Sequence, residues 1–213
     1  MPVDVKICGL MTEEAVSAAV AGGARFVGFV FFPPSPRSLT PASAAELTGA
    51  VLAGVTKVAL TVDAEDDYLN AIVASASIDM LQLHGVETPE RVADIRARHG
   101  LPVMKAVAIA GSDDIARART YEAVADRLLF DTRPPEGATR PGGNALAFDW
   151  ELIRGETWRR PWMLAGGLSA DNVAEAVRVS GAPAVDVSSG IEDAPGVKNI
   201  SKIKAFLEAA ASS

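Results

Sequence analysis

Short apolar runs rich in β-branched residues recur along the chain, each bounded by Gly, Pro or polar residues, as parallel strands buried on both faces should read. Eight such runs predict strands: "VDVKIC" at 3–8, "FVGFVF" at 26–31, "TKVALTV" at 56–62, "DMLQLH" at 79–84, "PVMKAVA" at 102–108, "RLLFD" at 127–131, "PWMLA" at 161–165 and "AVDVS" at 184–188. Segments of helical spacing lie between most of them. "TEEAVSAAVAGG" sets Val16, Ala19 and Val20 on one stripe after a Thr12 cap, with Gly22 and Gly23 as the stop. "TPASAAELTGAVL" and "TPERVADIRARHG" repeat the device with Thr40–Pro41 and Thr88–Pro89, the second ending at Gly100. "SADNVAEAVRVSG" and "KNISKIKAFLEAA" supply two more helices.

Strands alternating with helices imply a mostly parallel sheet with right-handed crossovers. Eight units, at roughly 27 residues each, point to a compact α/β protein: a single (β/α)8 TIM barrel over residues 1–213. An open doubly wound sheet could use the same strands, but no dinucleotide fingerprint follows the first one. The stretch 132–150, with "RPPEGATRPGGNA", is too rich in Pro and Gly for helix and reads as a long loop after strand six.

Composition narrows the partners. The 213 residues are 49% hydrophobic and 22% charged, enough for one core. A net charge of −7, with Lys and Arg scattered, argues against nucleic acid. No apolar run approaches the ~20 residues of a membrane span. One cysteine cannot form an internal disulfide, and the first strand begins at Val3 without a leader-like segment before it, so a soluble cytoplasmic protein is expected.

In a barrel, chemistry belongs at the C-terminal strand ends. Cys8 ends strand one. It reads either as a small buried hydrophobe or, with a helix following Gly9, as a thiol whose thiolate a helix N-terminus favours. As a nucleophile it would want a histidine, and of the two only His84 qualifies, since His99 ends a helix and should be solvated. Asp131 ends strand six, as a loop-capping carboxylate or as a general acid whose pKa burial would have to raise. "LAGGLSADNV" after strand seven and "DVSSGIEDAPG" after strand eight place Gly166, Gly167, Ser188, Ser189 and Gly190 where barrels commonly bind phosphate. Arg37 sits in a loop stiffened by Pro33, Pro34 and Pro36, where its fork suits a carboxylate.

The motifs "KICGL" at 6–10, "GFVFFPPSPR" at 28–37, "LQLHG" at 81–85, "FDT" at 130–132, "FDW" at 148–150, "AGGL" at 165–168 and "DVSSGIE" with "PGVKN" at 186–199 stand in one order over nearly the whole chain. In this the chain resembles the phosphoribosylanthranilate isomerases of tryptophan biosynthesis, a (β/α)8 family. The resemblance implies an Amadori rearrangement of N-(5-phosphoribosyl)anthranilate to 1-(2-carboxyphenylamino)-1-deoxyribulose 5-phosphate, with no cofactor and no metal. It implies Cys8 as general base, Asp131 as general acid and Arg37 on the anthranilate carboxylate. It also implies phosphate binding by Gly166, Gly167, Ser188, Ser189 and Gly190. Gln82 and His84 match the family's QLHG; they serve substrate binding or orient the barrel mouth by hydrogen bonds. A thiol acting as base needs no histidine neighbour, and its reference pKa of ~8.5 suits the task.

Two departures stand out. "GGNA" at 142–145 replaces the family's usual GGTG, and Asn199 replaces the Asp of its PGxKD motif, where Asn can still cap the last helix. The partner expected is thus a small phosphosugar–anthranilate substrate, with the protein a monomer or homodimer. The competing readings are the histidine-pathway aminoaldose isomerase, which resembles this chemistry but looks to use two aspartates, and a non-catalytic phosphate-binding barrel in which Cys8 only packs.

Overall fold

The computed structural model describes residues 3–133 and 148–213. Most of the loop expected over 132–150, including the "GGNA" stretch, lies outside them. Eight parallel strands close a barrel in chain order: β1 (Asp4–Cys8), β2 (Phe26–Phe31), β3 (Thr56–Thr61), β4 (Met80–Leu83), β5 (Val103–Ile109), β6 (Arg127–Thr132), β7 (Trp162–Leu164) and β8 (Ala184–Val187), with β8 pairing back onto β1. Every predicted strand is present, each end within two residues of its prediction.

The predicted helices form as α1 (Glu13–Ala21), α2 (Pro41–Gly49), α4 (Pro89–His99), α6 (Val173–Ser180) and α7 (Ile200–Ala211), and two more, α3 (Asp66–Ser75) and α5 (Ser112–Thr120), fill the remaining crossovers. Thr12, Thr40 and Thr88 each accept the N3 backbone N–H of their helix, and Gly100 closes α4 in the left-handed conformation. Asn199 caps α7 by accepting from the Lys202 N–H at 3.0 Å, as expected of the departure at that position. Among the described residues, only a 3-10 turn, Trp150–Ile153, lies between β6 and β7. One unforeseen element follows β8, a small antiparallel hairpin of β9 (Glu192–Ala194) and β10 (Val197–Lys198).

Two apolar layers hold the fold. One lies between strands and helices, with Ile7, Phe29, Leu81, Phe130 and Val185 fully buried. The other fills the barrel: Phe26, Val58, Met80, Met104, Ala106, Leu129, Met163, Ala165 and Ala184. Strand side chains alternate faces, so the inward parity continues from these residues toward the C-terminal ends. It passes from Phe26 to Gly28, from Met80 to Gln82, from Leu129 to Asp131 and from Ala184 to Asp186. Lys6 and Cys8, in register with Phe26 and Gly28, share it. Polar groups are thereby delivered to one end of the barrel by the same alternation that packs its floor. Among the described residues no helix is long and apolar enough to cross a membrane.

Candidate active site

At the C-terminal mouth a cleft of about 810 Å3, open space included, is lined by Cys8, Arg37, His84, Asp131, the Gly166–Gly167 turn and Ser188–Ser189. Six elements from sequence positions 8 to 189 contribute, which is what a barrel mouth permits and a helix face does not.

Cys8 is 3% exposed. Burial pushes its thiol pKa up and Asp186 adds to this, while the ammonium groups of Lys6 and Lys198 oppose it. The helix expected to favour the thiolate does not begin beside it: α1 starts five residues on, is capped by Thr12 and opens with Glu13 and Glu14. The cation at Cys8 is instead Lys6, wholly buried, 2.9 Å from Asp186 Oδ1 and with an ammonium charge that works to lower the thiol pKa. Burial alone would lower the Lys6 pKa, but Asp186 and Cys8 together outweigh it and raise the group. Sequence reading missed Lys6 and Asp186. The available signal was spacing, because each stands two positions before a site residue on the same strand face.

Across the mouth, Asp131 is 7% exposed. Its Oδ2 lies 3.2 Å from His84 Nε2, and its Oδ1 accepts the Thr132 N–H at 2.7 Å. Gln82 Nε2 approaches His84 Nδ1 at 3.0 Å. Taken as the donor, the amide makes Nδ1 an acceptor and turns Nε2–H toward the carboxylate. Gln82 is fully buried beneath His84 and does not line the cleft, so it orients the histidine from below. His84 does line it. His99 is half-buried rather than solvated, its Nε2 covered by the chain around α4.

The loop after β2 folds back on its own strand, with Leu39 N–H donating to Val30 O at 2.8 Å and a bridge from Val30 to Ser38. This draws Arg37 inside, where it is 4% exposed. Its fork is already held: Nε and one terminal nitrogen each donate to Glu192, both at 2.7 Å. Lys198 Nζ donates to Glu192 at 2.7 Å and to the Ser188 carbonyl at 2.8 Å. Burial works to raise the Glu192 pKa, but Arg37 and Lys198 outweigh it and hold the carboxylate below its ordinary range. Burial lowers the Lys198 ammonium despite Glu192. These two hairpin residues also escaped sequence reading, because an acidic loop with a Pro-Gly turn looks solvated.

Gly166 and Gly167 take φ values of +88° and +62°, a backbone that side chains disfavour. A Cβ on Gly166 would run into Thr132 and lie 2.9 Å from Asp131 Oδ1. Gly190 faces away from the cleft, and its missing side chain lets the loop after β8 pack on the Leu168 carbonyl of the loop after β7. The two glycine-bearing loops are therefore one joined rim. Lys105, in the first half of β5, points outward: its Nζ binds Glu87 at 2.8 Å and the Gly85 carbonyl at 2.7 Å, pinning the loop that carries His84.

A closed (β/α)8 barrel with a thiol, a carboxylate and an arginine converging at its C-terminal mouth has the build of an enzyme barrel with a candidate active site there. The chain belongs to the N-(5'-phosphoribosyl)anthranilate isomerase family, whose model matches residues 5–209. It is 57% identical to the N-(5'-phosphoribosyl)anthranilate isomerase of Paramagnetospirillum magneticum, over 99% of this chain and 98% of that one. It is 60% identical to that of Cereibacter sphaeroides, over 98% of each. Among solved structures it is similar to phosphoribosyl anthranilate isomerase from Thermotoga maritima, with a TM-score of 0.88 and 36% identity over 99% of this chain and 100% of that one. It is also similar to a phosphoribosyl anthranilate isomerase in complex with reduced 1-(o-carboxyphenylamino)-1-deoxyribulose 5-phosphate, with a TM-score of 0.85 and 34% identity over the same shares.

Proposed function

We propose how this barrel carries out the isomerisation of N-(5'-phosphoribosyl)anthranilate, the tryptophan-biosynthetic step that its family membership assigns to it. The observation that carries the reading is the placement of Cys8 and Asp131 on opposite walls of one cleft, with Arg37 on a third side. Asp131, as the acid, protonates the furanose ring oxygen; the C1–O bond breaks and the aniline nitrogen's lone pair closes a protonated Schiff base. Cys8, as thiolate, takes the C2 proton; the C2–H electrons form C1=C2 and the nitrogen becomes neutral. The enolamine then tautomerises, C1 gaining a proton and the C2 hydroxyl losing one, to leave the ketone. Each step moves protons and electron pairs within the substrate and these two side chains, so the chemistry calls on no cofactor.

Arg37 binds the anthranilate carboxylate, with Glu192 holding one edge of its fork and setting the other toward the ligand. The rim of Gly166, Gly167, Ser188 and Ser189 binds the phosphate, with Gly190 locking its two loops together. His84 turns toward Asp131, and Gln82 fixes the histidine. We place the enzyme in the cytoplasm as a monomer.

Fluorescence tests the reading. N-(5-phosphoribosyl)anthranilate is generated and the loss of its anthranilate signal followed with the wild type, Cys8→Ala and Asp131→Asn. Rapid decay with the wild type and a loss of about 100-fold or more with each variant is the expected result. Because the base acts as thiolate and burial raises its pKa, kcat/KM should still be climbing with pH above the ordinary thiol range and fall away on the acid side. Variants that lose phosphate-ligand affinity in place of turnover would show that these side chains bind rather than react.

A further inference from the structure

We infer that the Lys6 ammonium is the counter-ion of the Cys8 thiolate and that Asp186 holds it for that task, so that the base of this site is a Cys8–Lys6–Asp186 unit rather than a lone thiol. The inference rests on the reading of Cys8 as base and adds two groups to it. Lys6 and Cys8 are separated by one residue on β1 and face the barrel interior together. Lys6 is fully buried, its Nζ 2.9 Å from Asp186 Oδ1 on β8, and its ammonium works to hold the Cys8 thiol pKa down. β2 offers Gly28 opposite them, where a Cβ would lie 2.8 Å from Cys8 Sγ and 3.2 Å from Lys6 Cε. The space in which thiol and ammonium meet is the space of a side chain that Gly28 lacks.

The placement also answers an electrostatic need. A buried ammonium requires a partner, and Asp186 gives Lys6 one while the thiol is neutral. When the thiol ionises, the same ammonium faces an anion on each side, and the new charge on sulfur does not stand alone. As the S–H bond forms and C2–H breaks, that charge leaves for the substrate's Schiff-base nitrogen and Lys6 returns to Asp186. Among the described residues, the other charged and titratable groups around the thiol are Arg37 from the loop after β2, Glu192 and Lys198 from the β9–β10 hairpin, His84 with Asp131 across the cleft, and Arg133 beyond β6, which pairs with Asp114. Arg37 and Lys198 are both bound to Glu192, which leaves Lys6 as the cation that acts most strongly on the thiol.

The chain has one cysteine, so its thiolate can be titrated by ultraviolet absorbance against pH in the whole protein, with Cys8→Ser as the blank. Lys6→Met should move the titration midpoint to higher pH. Asp186→Asn should move it to lower pH, by removing the anion that competes for the ammonium. The acid limb of kcat/KM should follow the thiol in the same direction for each variant, with kcat of Lys6→Met down by about 10- to 100-fold. A Lys6→Met midpoint equal to the wild type, or an Asp186→Asn midpoint unchanged or raised, would overturn the inference. If Lys6→Met does not fold, Asp186→Asn decides alone, in the same sense. A wild type without turnover would remove the isomerase mechanism yet leave the titration to judge the three-residue unit.

Discussion

Gly28 is the residue on which the geometry at Cys8 turns. Its backbone is ordinary strand, so alanine there strains no dihedral; the cost is steric, a methyl 2.8 Å from the sulfur. Gly28→Ala should fold with a penalty of about 1–3 kcal/mol from overpacking, read as a lowered melting temperature. It should lose most of its isomerase rate because Cys8 and Lys6 are pushed apart; a variant with wild-type kcat would show that their contact is dispensable. At this scale the sequence was legible where a residue is chemically conspicuous. Cys8, Asp131 and Arg37 announce themselves as a lone thiol, a carboxylate closing an apolar strand and a guanidinium among prolines. Lys6 and Asp186 do not, because polar residues alternating with Val and Ile ordinarily mark a solvent face. In a closed barrel the same alternation points into the mouth.

Among the elements, the β9–β10 hairpin is the one that holds Arg37. It leans on the loop after β2, close enough that a Cβ on Gly196 would lie 2.6 Å from the Pro36 carbonyl oxygen, and it brings Glu192 to Arg37. Glu192→Gln should loosen the guanidinium, raising KM about 10-fold with a smaller change in kcat; an equal fall in both kcat and kcat/KM would place Glu192 in the chemical step. Glu192 is held below its ordinary carboxylate range, so its pairing stabilises the fold above that range and is lost as pH falls through the depressed value. The hairpin was invisible in "EDAPGVK", which is short, charged and carries a Pro-Gly turn, with nothing to show that Glu192 and Lys198 turn inward. The helices α3 and α5 were also harder to read than the Thr-capped ones. Glu65 ahead of α3 makes no side-chain cap, and α5 follows a glycine, its opening satisfied by Asp114 accepting from Ala110 and Gly111 at 2.8 and 3.2 Å. The strands needed no such punctuation, since burial on both faces writes them as apolar runs.

For the whole molecule, the large exposed apolar side chains among the described residues are Leu52, Val86 and Val197, on three separate connections. Scattered residues of this kind do not make an interface. Light scattering should therefore give one chain per particle, whereas the Thermotoga maritima relative is described both as dimeric and as engineered monomers; a two-chain mass would contradict the monomer. The closure of the barrel joins its first strand to its eighth, and the Lys6–Asp186 ion pair spans 180 residues. Lys6 leaves the ribosome 180 residues before the carboxylate that holds its ammonium. A chain cut short of β8 therefore lacks both the strand that closes the barrel and the carboxylate that holds Lys6, and the assembly of this site waits on the pairing of segments far apart in the chain.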